Sequence, residues 1–294
     1  GLGNLKKFEV KKIKGTFYSH IKWQRKFNKD KDKLCPGVSG RLFKNVKNIE
    51  SPDWLKKKLL AIGLRPISAL VDITNFLTFD LGRPLHVYDA DKLKGNLSMR
   101  LAKEGEKCKT LDEKEYKLSS DMIVISDDNK LHGIGGVMGG IESACSLDTT
   151  NVFLEVALFD PISITKTGRK INLQSDARFR FERGIDSTSI DWGVDKATEM
   201  ILDLCGGEVS EITTDQSIKH NEKIIKYYYN KTKTLGGVDI DVNNQIKILE
   251  SLGFLIKSKS NSIITISVPH FRPDIDGVAD IVEEIIRIYG FDKI

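Results

Sequence analysis

The chain has 294 residues, of which 40% are hydrophobic and 30% charged, and Lys+Arg exceed Asp+Glu by 46 to 41. That length suits one large domain and one small one, the apolar content suffices for a core, and the mild basic excess permits a nucleic-acid partner without demanding one. Cys35, Cys108, Cys145 and Cys205 are widely spaced with no CxxC pair, which argues against a disulfide framework or a zinc site. No apolar run reaches the roughly 18 residues of a membrane span, and the N-terminus lacks a signal-peptide pattern. A cytoplasmic protein with reduced thiols and no membrane partner is the expectation. Gly1 opens abruptly and Ile294 closes just after a helical pattern, so the chain reads as a piece of a longer protein.

Residues 1–35 are Lys-rich; FEVKKIKGTFYSHIKW (8–23) reads as one or two strands and KFNKDKDK (26–33) as a solvated loop. Ser51-Pro52-Asp53 is a helix start with Ser as cap and Pro at the first helical position. Trp54, Leu55, Leu59, Leu60 and Ile62 follow at helical spacing until Gly63 stops the helix. A second helical pattern carries Leu70, Ile73, Phe76 and Leu77, with polar Asp72, Thr74 and Asn75 among them; Gly82-Arg83-Pro84 ends it, and LHVYD (85–89) is a short strand. Strands are predicted at 97–102, 115–118, 122–126 and 130–137, with Asp127-Asp128-Asn129 as a hairpin turn. VFLEVALF (152–159) is a nearly continuous apolar strand interrupted by Glu155, Asp160-Pro161 caps a helix running to about Ile171, and a long amphipathic helix covers about 187–205. A polar linker is expected around 210–224, then a strand, a helix over 242–252, strands at 254–257 and 263–268, and a helix over 277–289 stopped by Gly290.

Several residues could bear chemistry, and each has a structural reading beside the functional one. A carboxylate inside an apolar strand is costly unless paired, so Glu155 either meets an arginine or lines a pocket and accepts from a ligand. His86 follows a turn close to Arg83, Asp72, Thr74 and Asn75; it is a packed structural residue or one corner of a polar cluster. No nucleophile elbow, HExxH helix or phosphate-binding loop occurs. The glycines of GIGGVMGG (133–140) let backbone approach a ligand or a neighbouring strand closely. SDARFRFERG (175–184) interleaves Arg178, Arg180 and Arg183 with Phe179 and Phe181, which suits either a nucleic-acid backbone or a helix with one charged and one packed face. Asp280, Glu283 and Glu284 share a helix face, with Ile281, Ile285 and Ile288 on a separate, core-facing one. Their repulsion is offset by the helix N-terminus or by a hard cation such as Mg²⁺, with Asp274 reaching in from the preceding loop.

Four strings in order, GLRPISALVDITNFLTFDLGRPLHVYD, GIGGVMGG, FLEVALFDPISITKTGR and SDARFRFERGID, resemble the editing domain of bacterial phenylalanyl-tRNA synthetase beta subunits over roughly 35–210. VPHFRPDIDGVADIVEEIIRIYGFDKI resembles the small domain that follows it there. The resemblance implies an α+β protein. A remnant of a preceding module would occupy 1–34, a mixed α/β tRNA-editing domain with a β-sheet core and flanking helices 35–212, and a small α+β docking domain 218–294. It implies an editing pocket of Arg65, His86, Glu155, Ser175 and Ala177, with Thr74, Asn75 and Pro84 in the same region and His86 and Glu155 in the catalytic roles. It implies Mg²⁺ near Asp274, Asp280, Glu283 and Glu284 at an alpha-subunit contact. The partners implied are tRNA(Phe) and an alpha subunit in an alpha2beta2 heterotetramer; ATP and the aminoacylation site belong to the whole enzyme and not to these residues. The implied activity is hydrolysis of mis-charged Tyr-tRNA(Phe). The competing class is a non-catalytic scaffold that binds tRNA or the alpha subunit. Two departures stand out: Ser175 replaces the family's Thr, and Arg178-Phe179 replaces a Ser-His pair of some members.

Overall fold

The computed structural model describes residues 9–293. They form an α+β protein of two compact units, one ending at Ile218 and the other beginning at Lys219.

The larger unit is organised around one strand. In chain order its elements are β1 (Trp23–Lys26), β2 (Gly37–Gly40), β3 (Leu42–Lys44), α1 (Asp53–Ala61), α2 (Ala69–Asp80), β4 (His86–Asp89), β5 (Leu97–Leu101), β6 (Lys107–Lys109), β7 (Glu115–Lys117), β8 (Ile123–Ser126), β9 (Leu131–Ile134), β10 (Met138–Gly139), β11 (Val152–Leu158), α3 (Pro161–Lys170), α4 (Asp176–Phe181), α5 (Ser189–Cys205), β12 (Glu208–Val209) and β13 (Thr213–Gln216). One sheet has the order β1-β5-β8-β9-β10; a second runs β12-β3-β11-β2-β13, with β4 also paired to β11. Every residue of β11 is buried. Its period-two alternation feeds two cores. Phe153 and Ala157 join Trp23, Tyr88 and Phe159 on one face, while Val152, Leu154 and Val156 join Leu55, Ile73, Val194 and Ile201 under α1, α2 and α5 on the other. This two-faced burial is why the strand reads as an almost unbroken apolar run.

Three expectations need correction here. Ser51 does not cap α1; Pro52 holds that position without a side-chain bond, and the Ser51 hydroxyl donates to Asp72 Oδ2 at 2.6 Å. The polar stretch read as a linker contains β13, which pairs with β2. The stretch ahead of residue 35 has its described strand late, at 23–26: β1 pairs in parallel with β5, Phe17 makes only an isolated bridge to Ser210, and Phe8, the first residue of the predicted strand, lies outside those described. Polar composition hid β13 because its side chains alternate between half-buried and exposed.

The smaller unit holds β14 (Ile224–Tyr228), α6 (Lys231–Gly236), α7 (Val242–Ser251), β15 (Leu255–Lys259), β16 (Ile263–Ser267) and α8 (Val278–Tyr289). Its antiparallel sheet has the order β14-β16-β15. Tyr227, Phe254, Ile264, Ile266, Ile281 and Ile285 make the core. Ile288, read as core-facing, is 44% exposed, and Ile286 is buried instead. The short helix α6 escaped the sequence reading because six residues hold less than two turns of periodicity.

Asp72 ties the helical layer together: fully buried, it accepts from Ser51 Oγ and from the Ile67 amide at 2.9 Å. Asp72→Ala leaves both donors without that acceptor. We expect a loss of about 2–4 kcal/mol in urea unfolding with helical content retained.

Candidate functional site: a half-open pocket against the central strand

A cavity of about 80 Å³ lies where the end of β4, the β9–β10 loop, β11 and α4 converge. Ile125, Ile134, Val137, Met138, Phe159 and Phe181 supply apolar wall, Pro84 and Ala177 line it, and the polar groups are His86, Tyr88 and Glu155. The volume holds several waters; it is below the ~150 Å³ of an apolar cavity that admits benzene, so an aromatic ligand has to enter through the open side and move wall atoms.

Register places the polar groups. β4 and β11 run antiparallel with His86 opposite Glu155 and Tyr88 opposite Phe153, so Tyr88 sits diagonally across from Glu155 on the same face. Its hydroxyl donates a short hydrogen bond to Glu155 Oε2. Glu155 is 7% exposed. Burial raises its carboxyl to about 7, against the lowering pull of the Tyr88 hydrogen bond and of the Arg83 charge. Arg83 is itself buried; its Nη2 donates to the Ala157 carbonyl, while Nε and Nη1 find no partner. Burial, and secondarily His132, holds His86 down at about 4, so this imidazole is neutral at pH 7. Its ring stands edge-on to Tyr88 with centroids 4.6 Å apart, and its Nε2 is buried without a hydrogen-bond partner.

The glycine-rich loop shapes the pocket by close approach. A Cβ on Gly139 would lie 2.4 Å from His86 Cε1, and one on Gly136, whose φ is +68°, would lie 2.7 Å from Ile164 Cδ1. Three of the loop's amides are already committed: Gly135, Val137 and Gly140 donate to the carbonyls of Ile123, Ile134 and His132. Those three are therefore not free to hold an oxyanion.

Of the residues singled out from sequence, the structure brings His86, Glu155, Pro84 and Ala177 together at the cavity. Ser175 stands just behind: its hydroxyl donates to the Val137 carbonyl at 2.5 Å and accepts from the Arg178 amide at 3.0 Å. It caps α4 and ties it to the glycine-rich loop. Arg65, Thr74 and Asn75 do not line the cavity. Arg65 is exposed in the α1–α2 connection, and the Thr74 hydroxyl returns to the Val71 carbonyl of its own helix. Sequence reasoning missed Tyr88, which looked like an ordinary strand aromatic. It also missed His132, fully buried, whose Nε2 lies 2.8 Å from Asp127 Oδ2 behind the Tyr88 ring. The period-two pattern of LHVYD, set against that of FLEVALF, was the available signal for Tyr88.

A B3/4 domain family model matches residues 34–206. The chain belongs to the B3/4 domain family. A tRNA synthetase B5 domain model matches residues 225–291. The chain is 47% identical over its whole length to the phenylalanine–tRNA ligase beta subunit of Mesorhizobium japonicum and 47% identical to that of Paramagnetospirillum magneticum. It spans 36% and 37% of those two relatives. A crystal structure of an N-terminal fragment of the phenylalanyl-tRNA synthetase beta subunit from Pyrococcus horikoshii superimposes on 98% of this chain and 78% of its own, with a TM-score of 0.43 and 15% identity. The family resemblance read from the motif strings therefore holds for both the B3/4 and the B5 regions.

In the B3/4 unit the arginine-rich segment divides. Arg178 is buried, paired with Glu182 at 3.0 Å and bonded to the Leu173 carbonyl. Arg180 lies over Phe79 and Arg183 over Phe179, which is 52% exposed. Buried Arg178 and Phe181 make the packed face of this helix, and Arg180 and Arg183 its charged one.

The B5 carboxylates do not gather. Glu284 is 5% exposed and clamped by Arg272 and Arg287, each at 2.6 Å. Asp274 forks onto Arg272. Asp280 Oδ2 accepts from the amides of Asp276 and Gly277 at the start of α8, and Glu283 points out to solvent on another side of the helix. The common acidic face expected from spacing is split. Among the described residues no group of three or more His, Cys, Asp or Glu could hold a metal ion. With Asp274, Asp280 and Glu284 taken up by guanidinium and backbone donors and Glu283 turned to solvent, the set does not fit Mg²⁺.

Arg272, then Arg287, hold the Glu284 carboxyl down at about 2, from an ordinary 4.5. A depressed carboxylate adds stability above its unfolded pKa and loses it as pH falls toward the folded one. Acid unfolding followed from pH 5 to pH 2 should therefore show a steeper decline in the wild type than in Glu284→Gln, the variant being the less stable protein at pH 7. Millimolar Mg²⁺ or EDTA should leave the melting temperature unchanged, since an ion that binds the folded chain would raise it.

Proposed function

We propose that the chain is the B3/4–B5 part of a phenylalanine–tRNA ligase beta subunit, and that its pocket edits by hydrolysing tyrosine mis-attached to tRNA(Phe). The observation that carries this reading is Glu155: a buried carboxylate in a mostly apolar pocket, already accepting a phenolic hydroxyl. A pocket that selects phenylalanine rejects an added hydroxyl poorly, by about 10² in the comparable valine/threonine case, whereas a site that must hydrogen-bond the hydroxyl discriminates by ~10⁴–10⁵. Tyr88 tempers that upper figure. Glu155 is not left unpaired when phenylalanine enters, so the discrimination rests on its second oxygen alone.

The chemistry is ester hydrolysis. Water adds to the aminoacyl carbonyl, the ester C–O bond breaks, and the ribose oxygen leaves with a proton, giving free tyrosine and uncharged tRNA. His86, neutral at pH 7 with Nε2 lacking a protein partner, is suited to orient that water or a ribose hydroxyl rather than to act as a strong acid. The pocket contains no side-chain nucleophile, so water and the tRNA's own hydroxyls do the bond-making. The exposed Phe179–Arg183 stack offers an aromatic face and a cation for the nucleic acid nearby. The B5 unit would dock the alpha subunit, its charges neutralised internally rather than by a metal.

Mis-charged Tyr-tRNA(Phe) mixed with this chain, with and without alpha subunit, tests the reading. We expect deacylation that Glu155→Gln slows about 10–100-fold, in line with the loss of a hydrogen bond to a charged group, and that His86→Ala slows without altering the tyrosine preference. Unchanged rates for both variants would leave the scaffold role in its place.

A further inference from the structure

We infer that Tyr88 is a specificity-determining residue: its hydroxyl, seated on Oε2 of Glu155, fixes that carboxylate and leaves Oε1 as the acceptor offered to a ligand hydroxyl. The inference rests on the tyrosine-editing reading and deepens it.

A carboxylate this deeply buried needs a donor or it takes up a proton. Arg83 is near enough to favour the charged form but gives it no hydrogen bond; its one bonded nitrogen serves the Ala157 carbonyl. Tyr88 is the side chain that gives Glu155 a hydrogen bond in the described structure. The phenol cannot swing away freely. Its ring is fully buried, with His86 edge-on at 4.6 Å, His132 edge-on at 6.3 Å and Trp23 at 6.4 Å. The donor is thus built in and held, and it stands on the wall of the cavity that Glu155 also lines.

Two consequences follow. With the Tyr88 bond in place, Glu155 titrates at about 7 and is about half ionised at neutral pH; without it, burial has one fewer opponent and the midpoint moves up. A protonated carboxyl has lost the charge that makes a phenol donor worth most. Held by one oxygen, Glu155 also presents the other in a fixed direction, so the position of the hydroxyl on the ligand ring matters as well as its presence. The other ionisable groups around this pair are Arg83, His86, His132, Cys35 and Cys108. His86 stays neutral above about 4, and burial lifts both thiols, so none of these three changes charge near pH 7.

Tyr88→Phe keeps the ring and removes only the donor. Carboxyl infrared titration of the full chain, with Glu155→Gln to assign the band, should show a midpoint near 7 in the wild type and a higher one in Tyr88→Phe. Calorimetry with L-tyrosinamide and L-phenylalaninamide should show a tyrosine preference in the wild type. In Tyr88→Phe that preference should fall at least tenfold at pH 7 and recover in part at pH 9. A loss of mere packing would move neither the midpoint nor the pH at which preference returns. An unchanged midpoint, or an unchanged preference at pH 7, overturns the inference. Equal binding of the two amides by the wild type overturns instead the tyrosine reading on which it rests, and the carboxyl midpoint tells the two failures apart.

Discussion

Burying a carboxylate in the middle of β11 is the constraint around which the larger unit is arranged. The strand is covered on both faces, and Glu155 lines the pocket. An apolar residue of similar size would fit the same core with no desolvation cost, and replacements of that kind in other buried polar sites are often neutral or stabilising. What the structure supplies is a set of compensations: a phenol from the next strand, a guanidinium close by, and a cavity that Glu155 lines. The place of the phenol follows from register. The antiparallel pairing that sets His86 opposite Glu155 also sets Tyr88 diagonal to it, and a one-residue slip of β4 would turn all of them away from the pocket.

The surrounding elements act by shape. Gly139 allows the glycine-rich loop to lie against the His86 ring where any Cβ would collide. Ser175 joins that loop to α4 through the Val137 carbonyl and, by capping the helix, sets where Ala177 and Phe181 face the cavity. Both bonds are made by the Ser175 hydroxyl alone, so the tie needs no more than that oxygen. Arg178 is internal structure, filling the space left by Gly168 and bonding the Leu173 carbonyl. The α4 segment therefore puts its outer cations, Arg180 and Arg183, on aromatic faces while its inner one holds the helix in place.

How much of this could be read from the residues depends on the range of each interaction. The β-rich middle, the hairpin at 127–129, the long helix ending at Gly206 and the last helix ending at Gly290 are local patterns with clear stops, and they stand within a few residues of expectation. Short or polar elements, β13 and α6, carry too little periodicity to register. Site residues divide the same way. Glu155 stood out because it breaks an apolar run. Tyr88 did not, because an aromatic in a strand is ordinary until the partner strand and its register are known. Arg65, Thr74 and Asn75 were gathered by family pattern and by nearness in sequence, yet helix geometry turns Thr74 back to its own turn and leaves Arg65 exposed. The acidic set in the B5 region shows the reverse error. Residues three and four apart do share a side of a helix, but which side meets the core was misjudged by one position, and that buried Glu284 instead of exposing it.

Glu155 and Glu284 together show why one of two buried glutamates is the functional candidate. Their exposures are nearly the same, 7% and 5%. Glu284 receives hydrogen bonds from two guanidiniums and is driven down to about 2; Glu155 receives one from a neutral phenol and rises to about 7. The first carboxylate is saturated: its neighbours neutralise its charge and satisfy its oxygens, so it has nothing left to offer a metal or a substrate. The second is about half charged at pH 7, with its side-chain donor on one oxygen only. A group in that condition, on the wall of a cavity, can gain free energy from a ligand that brings a hydroxyl and gains nothing from one that does not. Burial alone does not distinguish structure from function in this chain; the number and charge of the donors do.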